Sequence, residues 1–371
     1  MLTTPLETLK TYIDQPSGSF DREDVRQMAE IIRADFESLG FTTELIEGKV
    51  HGPVLRARIG QGPQLMLMGH MDTVFPRNVY VPYKDLGNGK AMGSGVIDMK
   101  GGVVIMLYAL KEILPKLDLS RVSLCAVINP DEEVGSPESH DVILGTAKES
   151  FAALSFEPSS ATGRFTCARK GVTSVRVSCE GKPGHAGAEY TKCFSAIQGL
   201  CAQITKLYEL RDDTREISFN AGKISGGTAE NVVAPSAECA CEFRYFDEAL
   251  KPQLMERIRE ICAEEPVPGV RTTLTFGASH PAIDLNEKSQ KLLDMALAIT
   301  ASQGRSFVHE RTGGAGDISI AGQAGIGVLD GLGMLGTGMH TVQETADISS
   351  MPQQIEMAAR LIPQVIQSML S

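Results

Sequence analysis

The segment Gln64–Gly69, QLMLMG, most constrains the fold, because after its first residue it presents no polar side chain. A strand that is apolar at every position has no face to give to water. It must be covered on both sides, as strands are in parallel sheets flanked by helices. Residues 122–129 (VSLCAVIN) read as a second buried strand, 151–156 (FAALSF) as a shorter one, and 53–59 as a further strand-like run. Between and before them lie helical patterns. Val25, Met28, Ile32, Phe36 and Leu39 recur at helical spacing over 22–39, with Asp21 placed to cap the start and Gly40 to end it. Residues 101–117 read as the next helix. Strands alternating with helices predict an α/β fold: a mixed, mostly parallel sheet with helices on both faces.

The pattern changes at Lys170-Gly171. Residues 172–178 (VTSVRVS) alternate apolar and polar, which marks a half-exposed antiparallel strand. Helix-like 193–210, strand-like 216–224 and 236–245, helix-like 247–264 and strand-like 270–276 follow. This β-α-β-β-α-β order predicts an α+β, ferredoxin-like insert over 171–277. The first style then returns, with a helix at 287–303, the run Ile326–Leu329 and a helix from Pro352. The expected organisation is a discontinuous domain, 1–170 with 278–371, interrupted by the insert; 371 residues suit two domains.

Composition narrows the function. A net charge of −11 argues against nucleic acid as partner and against an anionic membrane surface. No stretch reaches the roughly 18 apolar residues of a membrane span. The N-terminus lacks a basic start followed by an apolar run, so no secretory leader is expected. The eight cysteines form no CxxC pair and read as free thiols, the expectation being a cytoplasmic protein.

Four clusters carry chemistry: Gly69-His70-Met71-Asp72, the stretch GSGVIDMKGG containing Asp98, Asn129-Pro130-Asp131-Glu132-Glu133, and Ser155-Phe156-Glu157-Pro158. Three follow buried strands and one opens a helix, and open α/β sheets place ligands beyond the carboxyl ends of their strands. Asp98, Glu132, Glu133 and Glu157 gathered alone would repel one another and force some into the protonated state. Divalent ions resolve that conflict. An imidazole with carboxylates suits zinc, and one carboxylate can serve two ions. His340, in Gly338-Met339-His340-Thr341, is the candidate second imidazole. Each residue also has an ordinary role available: Asp98 as a helix cap, Glu132-Glu133 as an acidic loop, His70 as a solvated histidine.

The segments GHMDTV, GSGVIDMKGG, NPDEEVGS, LSFEPS, GKPGHAGA, ERTGGAGD and GMHTVQE, in order from about 66 to 344, resemble the two-zinc metallopeptidase family of aminoacylases, acetylornithine deacetylases, succinyl-diaminopimelate desuccinylases and glutamate carboxypeptidases. The glutamate carboxypeptidases are most similar in the LSFEP, GHAGA and ERTGG stretches. The resemblance implies that Asp98 bridges two Zn(2+) ions, for which Co(2+) or Mn(2+) are substitutes. It implies His70 and Glu157 on one ion, and Glu133 and His340 on the other. Asp72 would orient His70, and Glu132 would be the general base for a metal-bridging hydroxide. His185 would reach into a partner subunit's site to stabilise the oxyanion, in a homodimer formed through 171–277. Arg244 and Asn231, with Arg311 and the Gly313-Gly314 backbone, would recognise a substrate carboxylate, since arginine's planar fork suits one.

One position departs from the pattern. Folate-cleaving members carry an arginine before the Pro-Ala pair that corresponds to Pro281-Ala282, and His280 stands there instead. Glutamate is therefore not assigned as the amino acid released. The expected activity is hydrolysis of a small peptide or N-acyl amino acid, releasing an amino acid with a free carboxylate. An N-acyl-amino-acid deacylase or desuccinylase remains an alternative, and so does a non-catalytic, metal-dependent ligand-binding protein.

Overall fold

The structure is a computed structural model that describes residues 2–370, with Ala278 described by its backbone alone. The chain divides into two compact units. The first comprises the chain through Ala168, Leu285–Thr312 and the chain from Gly316 on; the second comprises Arg169–Asp284 with Gly313–Ala315.

The first unit is built on a six-stranded sheet in the order Thr42–Ile46, Val54–Gly60, Ser123–Asn129, Gln64–His70, Ser150–Ser155, Gly327–Leu329. The first two pairings are antiparallel and the other three parallel. All seven residues of Gln64–His70 are buried, as its uninterrupted apolar run requires. Parallel register aligns the strand ends: His70 pairs with Asn129, and Met68 with Ser155. The segments that leave these three strands therefore emerge at one edge of the sheet.

Helix Lys100–Ile113 is apolar nearly all round and buried along most of its length, as that composition demands. Its first turn holds a glycine for a steric reason. A Cβ on Gly102 would lie 1.9 Å from the Phe156 carbonyl oxygen, so only glycine lets the helix start against the segment bearing Glu157. Helix Arg22–Ser38 buries Val25, Met28, Ile32 and Phe36, the stripe read from their spacing. Asp21 sits at its N-cap but makes no side-chain cap bond; its carboxylate accepts the Arg77 N–H at 3.2 Å instead.

The second unit carries strands Gly171–Glu180, Ser218–Gly226, Ser236–Tyr245 and Arg271–His280 with helices Ala196–Tyr208 and Lys251–Ala263. Its strands are antiparallel throughout, in the spatial order second, third, first, fourth. That is the ferredoxin-like arrangement, with its own core around Val177, Leu200, Phe243 and Ile258. No helix among the described residues is long and apolar enough to cross a membrane.

Candidate metal centre

His70, at the end of its strand, is 1% exposed. Its Nδ1–H donates to the Asp72 carbonyl at 3.0 Å, with Asp72 Oδ1 at 3.3 Å. Nε2 is thereby left facing Asp98 Oδ1 at 3.2 Å and Glu157 Oε1 at 3.7 Å. A ring nitrogen whose partner nitrogen is already a donor meets two carboxylate oxygens there. A cation has to occupy that place, either a proton on the imidazole or a metal ion. Burial disfavours a charged His70, but Glu157, Asp72 and Asp98 outweigh it and hold its pKa well above the ordinary value.

His340 comes from a loop between the short strands Gly336–Thr337 and Thr345–Asp347. Thr345–Asp347 pairs with Lys90–Met92, which brings the loop to the Asp98 segment. Its Nε2 lies 3.2 Å from Asp98 Oδ2 and 3.2 Å from Glu133 Oε2. These two carboxylates raise its pKa to about 10. Asp98 thus turns one oxygen to each imidazole. Burial works against its ionisation, yet the two histidines draw its pKa below the usual carboxylate range.

The donor set fits divalent metal ions. One ligand atom each from His70, Asp98 and Glu133 lie within 4.8 Å of one another. Two ligands about 2.0–2.1 Å from a tetrahedral zinc would stand about 3.3 Å apart, close to the 3.2 Å of the His340 pairs. The acids that face these two imidazoles also outnumber them, which leaves negative charge for a cation to neutralise.

Glu132 and Glu133 begin a tight 3-10 turn immediately after Asp131. Burial pushes both carboxyls up, and the charge of Glu157 adds to the effect at Glu132. Asp72 holds this turn in place. Its Oδ1 accepts the Glu132 N–H and its Oδ2 the Glu133 N–H, each at 3.2 Å, while Ser19 Oγ donates to Oδ2 at 2.7 Å. One buried carboxylate therefore supports His70 and the acid pair together. Asp72→Asn presents an N–H₂ where an acceptor is needed; we expect it to lower metal affinity or activity by about 10–100-fold, read by metal titration of the variant.

The second unit carries the remaining residues singled out by sequence. His185 is exposed, and its Nδ1 accepts the N–H groups of Gly187 at 3.1 Å and Ala188 at 3.2 Å. In the neutral ring the proton then sits on Nε2, which makes this nitrogen a donor. Asn231 is an exposed neighbour, its carbonyl accepting the Ala186 N–H at 3.0 Å. Arg244 is engaged within its own unit. Its fork closes on Glu242 at 2.7 and 3.2 Å, and Nη1 donates to the Gly313 carbonyl at 2.7 Å. Gly314 O accepts from Arg169 at 3.2 Å. Arg311 belongs to the first unit, exposed in strand Val308–Thr312.

Sequence reasoning gave no role to three buried carboxylates that shape the centre, Glu344, Asp131 and Asp317. Glu344 accepts the N–H groups of Gly95, Ile97 and Asp98 at 2.8, 2.8 and 3.0 Å, fixing the Asp98 loop to the His340 loop. Asp131 accepts Glu138 N at 2.7 Å and Ser139 Oγ at 2.5 Å. Asp317 accepts Ser136 Oγ at 2.5 Å and Asn129 Nδ2 at 2.6 Å, tying the strand end to the turn that follows it. Glu344 and Asp317 stand inside GMHTVQE and ERTGGAGD, so the motifs held the signal without disclosing the partners.

Burial raises the Asp317 pKa from 3.8 to about 7, with Asp131 adding repulsion. The folded chain then holds this proton more tightly than the unfolded chain does. Stability of the metal-free protein should fall as pH rises between those two values, by at most about 1.4 kcal/mol for each pH unit crossed, and level off above them. Asp317→Asn should lose this slope, gaining in urea midpoint over the parent at pH 8 and not at pH 4.

Residues 66–364 match the profile of Peptidase family M20/M25/M40. Carboxypeptidase G2 from Pseudomonas sp. (strain RS-16) is 32% identical over 96% of this chain and 88% of its own length. A succinyl-diaminopimelate desuccinylase from Methylorubrum populi is 26% identical over 85% of this chain and 86% of its own. Among solved structures, an M20 family metallo-carboxypeptidase from Sulfolobus solfataricus superposes with a TM-score of 0.82 at 17% identity, covering 97% of this chain and 98% of that one. With the imidazoles and carboxylates that its strand ends and loops assemble, the chain belongs to peptidase family M20/M25/M40, a family of metallohydrolases.

Proposed function

We propose that the protein is a two-metal hydrolase that cleaves a peptide or N-acyl amide bond and releases an amino acid with a free carboxylate, as a glutamate carboxypeptidase-like enzyme does. The orientation of Asp98 carries this reading, because its two oxygens face separate imidazoles 3.2 Å away. His70 and Glu157 would hold one ion with Asp98, and Glu133 and His340 the other. Imidazole with carboxylate suits zinc, with cobalt or manganese as substitutes. When bound, such ions supply Lewis acidity, polarising an amide carbonyl and acidifying water.

The chain's own groups do the rest. Glu132, whose carboxyl is raised by burial, takes a proton from the attacking water and delivers it to the leaving nitrogen. Asp72 keeps the His70 ring and the Glu132–Glu133 backbone in register. His185 directs its Nε2–H at the developing oxyanion. In this reading it serves the site of a second copy of the chain, the two joined through 171–277. Arg244, Asn231, Arg311 and the Gly313-Gly314 backbone bind the substrate carboxylate, which competes with Glu242 for the Arg244 fork.

The desuccinylase relative favours a second reading, that of an N-acyl-amino-acid deacylase. Hydrolysis of dipeptides with C-terminal glutamate, compared with N-acetyl and N-succinyl amino acids, separates the two. Faster turnover of the dipeptides supports the carboxypeptidase, and faster turnover of the acyl amino acids the deacylase. Bound but uncleaved substrate in the zinc-loaded protein would overturn both and leave a ligand-binding protein.

A further inference from the structure

Lys100, two residues beyond Asp98, is fully buried, and the proposed mechanism gives it no part. Its Nζ donates to Tyr12 O at 3.0 Å, Gln15 O at 2.6 Å and Tyr80 Oη at 2.9 Å. All three acceptors are neutral, and a buried cation is costly unless something offsets its charge. The offset is a helix end. Helix Pro5–Asp14 has no basic residue in its last turn, and Gln15 is its C-cap. The last carbonyls of a helix lack partners within it and carry partial negative charge, so a cation is favoured there. Lys100 supplies that cation from another helix, and Tyr80 Oη stands 2.9 Å from Ile13 O at the same end. A Cβ on Gly93 would lie 2.3 Å from Ile13 Cγ2, so glycine lets this helix end seat against the Asp98 loop.

The segment that leaves the helix end continues to the His70 side of the centre. Ser17 Oγ donates to Met71 O at 2.7 Å, Thr73 N to Ser17 O at 2.9 Å and Ser19 N to Thr73 O at 3.2 Å. Ser19 Oγ then reaches Asp72 Oδ2, the oxygen that also accepts the Glu133 N–H. Both serines are buried. Residues 12–19 thus engage the centre twice: through Lys100 at the start of the helix that follows Asp98, and through Ser19 on the carboxylate beside His70. They lie outside residues 66–364, which match the family profile.

We infer that residues 12–19 are a strap joining the Asp98 and Asp72 arms of the metal centre, and that Lys100 and Ser19 are its positioning residues. They hold the two arms at a fixed spacing, so zinc binds more tightly when the strap is docked. The inference rests on the two-metal part of the reading above and not on which amide is cleaved.

Zinc titration of the full chain, with amide hydrogen exchange of its zinc-free and zinc-loaded forms, tests this. Ser19→Ala should weaken zinc binding by about tenfold, and Ser19→Thr, which keeps the hydroxyl, should recover most of the loss. Lys100→Met keeps the length of the side chain but leaves three acceptors without their donor, and it should weaken zinc at least as much. Val365→Ala opens a cavity in the buried face of helix Met351–Leu370; it should cost stability and leave zinc affinity unchanged. Linkage is reciprocal, so zinc should slow exchange at the Ser19 and Thr73 N–H of the wild type, and slow it less in Lys100→Met. Unchanged zinc affinity in Ser19→Ala and Lys100→Met, an equal loss in Val365→Ala, or strap exchange indifferent to zinc overturns the proposal. If Lys100→Met does not fold, Ser19→Ala decides. A wild-type chain that takes up no zinc overturns the metal reading. Faster exchange at the Glu132 and Glu133 N–H of Ser19→Ala then still upholds the positioning role, and unchanged exchange ends it.

Discussion

Glu132→Gln is expected to keep its full metal complement and to lose about 10²–10⁴-fold in kcat, the range that a positioned acid–base group supplies. The side chain is the same size, and the backbone N–H that places it still reaches Asp72 Oδ1 at 3.2 Å. What disappears is the ability to carry a proton. Its neighbour provides the contrast. Glu133 faces His340 at 3.2 Å, so Glu133→Gln removes a proposed ligand and should lower metal content along with rate. Paired measurement of kcat and metal content in the two variants separates proton transfer from ion binding, although the residues are adjacent in sequence.

Asp98→Asn should have the largest effect on the metals themselves. An amide offers one oxygen and one N–H₂, whereas Asp98 turns an oxygen to His70 and another to His340. Whichever way the amide is turned, one of the two proposed ion sites gains a donor where it needs a ligand. The loss should exceed the about 10–100-fold typical of a supporting residue. Elemental analysis should find the metal content at least halved, and added zinc should not restore the rate.

Much of this was legible from the sequence because apolar patterning and chemistry coincide. The run QLMLMG has to be a central strand, and its parallel neighbours end in step with it. The His70, Glu132-Glu133 and Glu157 segments are therefore delivered to one edge. What stayed hidden depends on pairings that no local pattern encodes. Glu344 acts through three N–H groups about 250 residues earlier in the chain, and Asp317 through a strand-end asparagine 188 residues earlier and a serine 181 residues earlier. The closure of the Arg244 fork on Glu242 depends on strand geometry and side-chain rotamer together. Helix Pro5–Asp14 did carry a local signal, the capping box of Thr4 and Glu7 with Pro5 at its first turn. Asp21 shows the reverse case, a good cap residue taken by the Arg77 N–H of a packed neighbour.

In the proposed function, two imidazoles that share Asp98 hold two catalytic metal ions. Elemental analysis of the purified chain, paired with hydrolysis of the dipeptide and N-acyl panel before and after chelation, tests it most directly. About two zinc ions per chain are expected, as a two-metal site requires, with cleavage lost on chelation and recovered when zinc is returned. A chain that binds no metal, or that cleaves its substrate equally well after complete chelation, would contradict it.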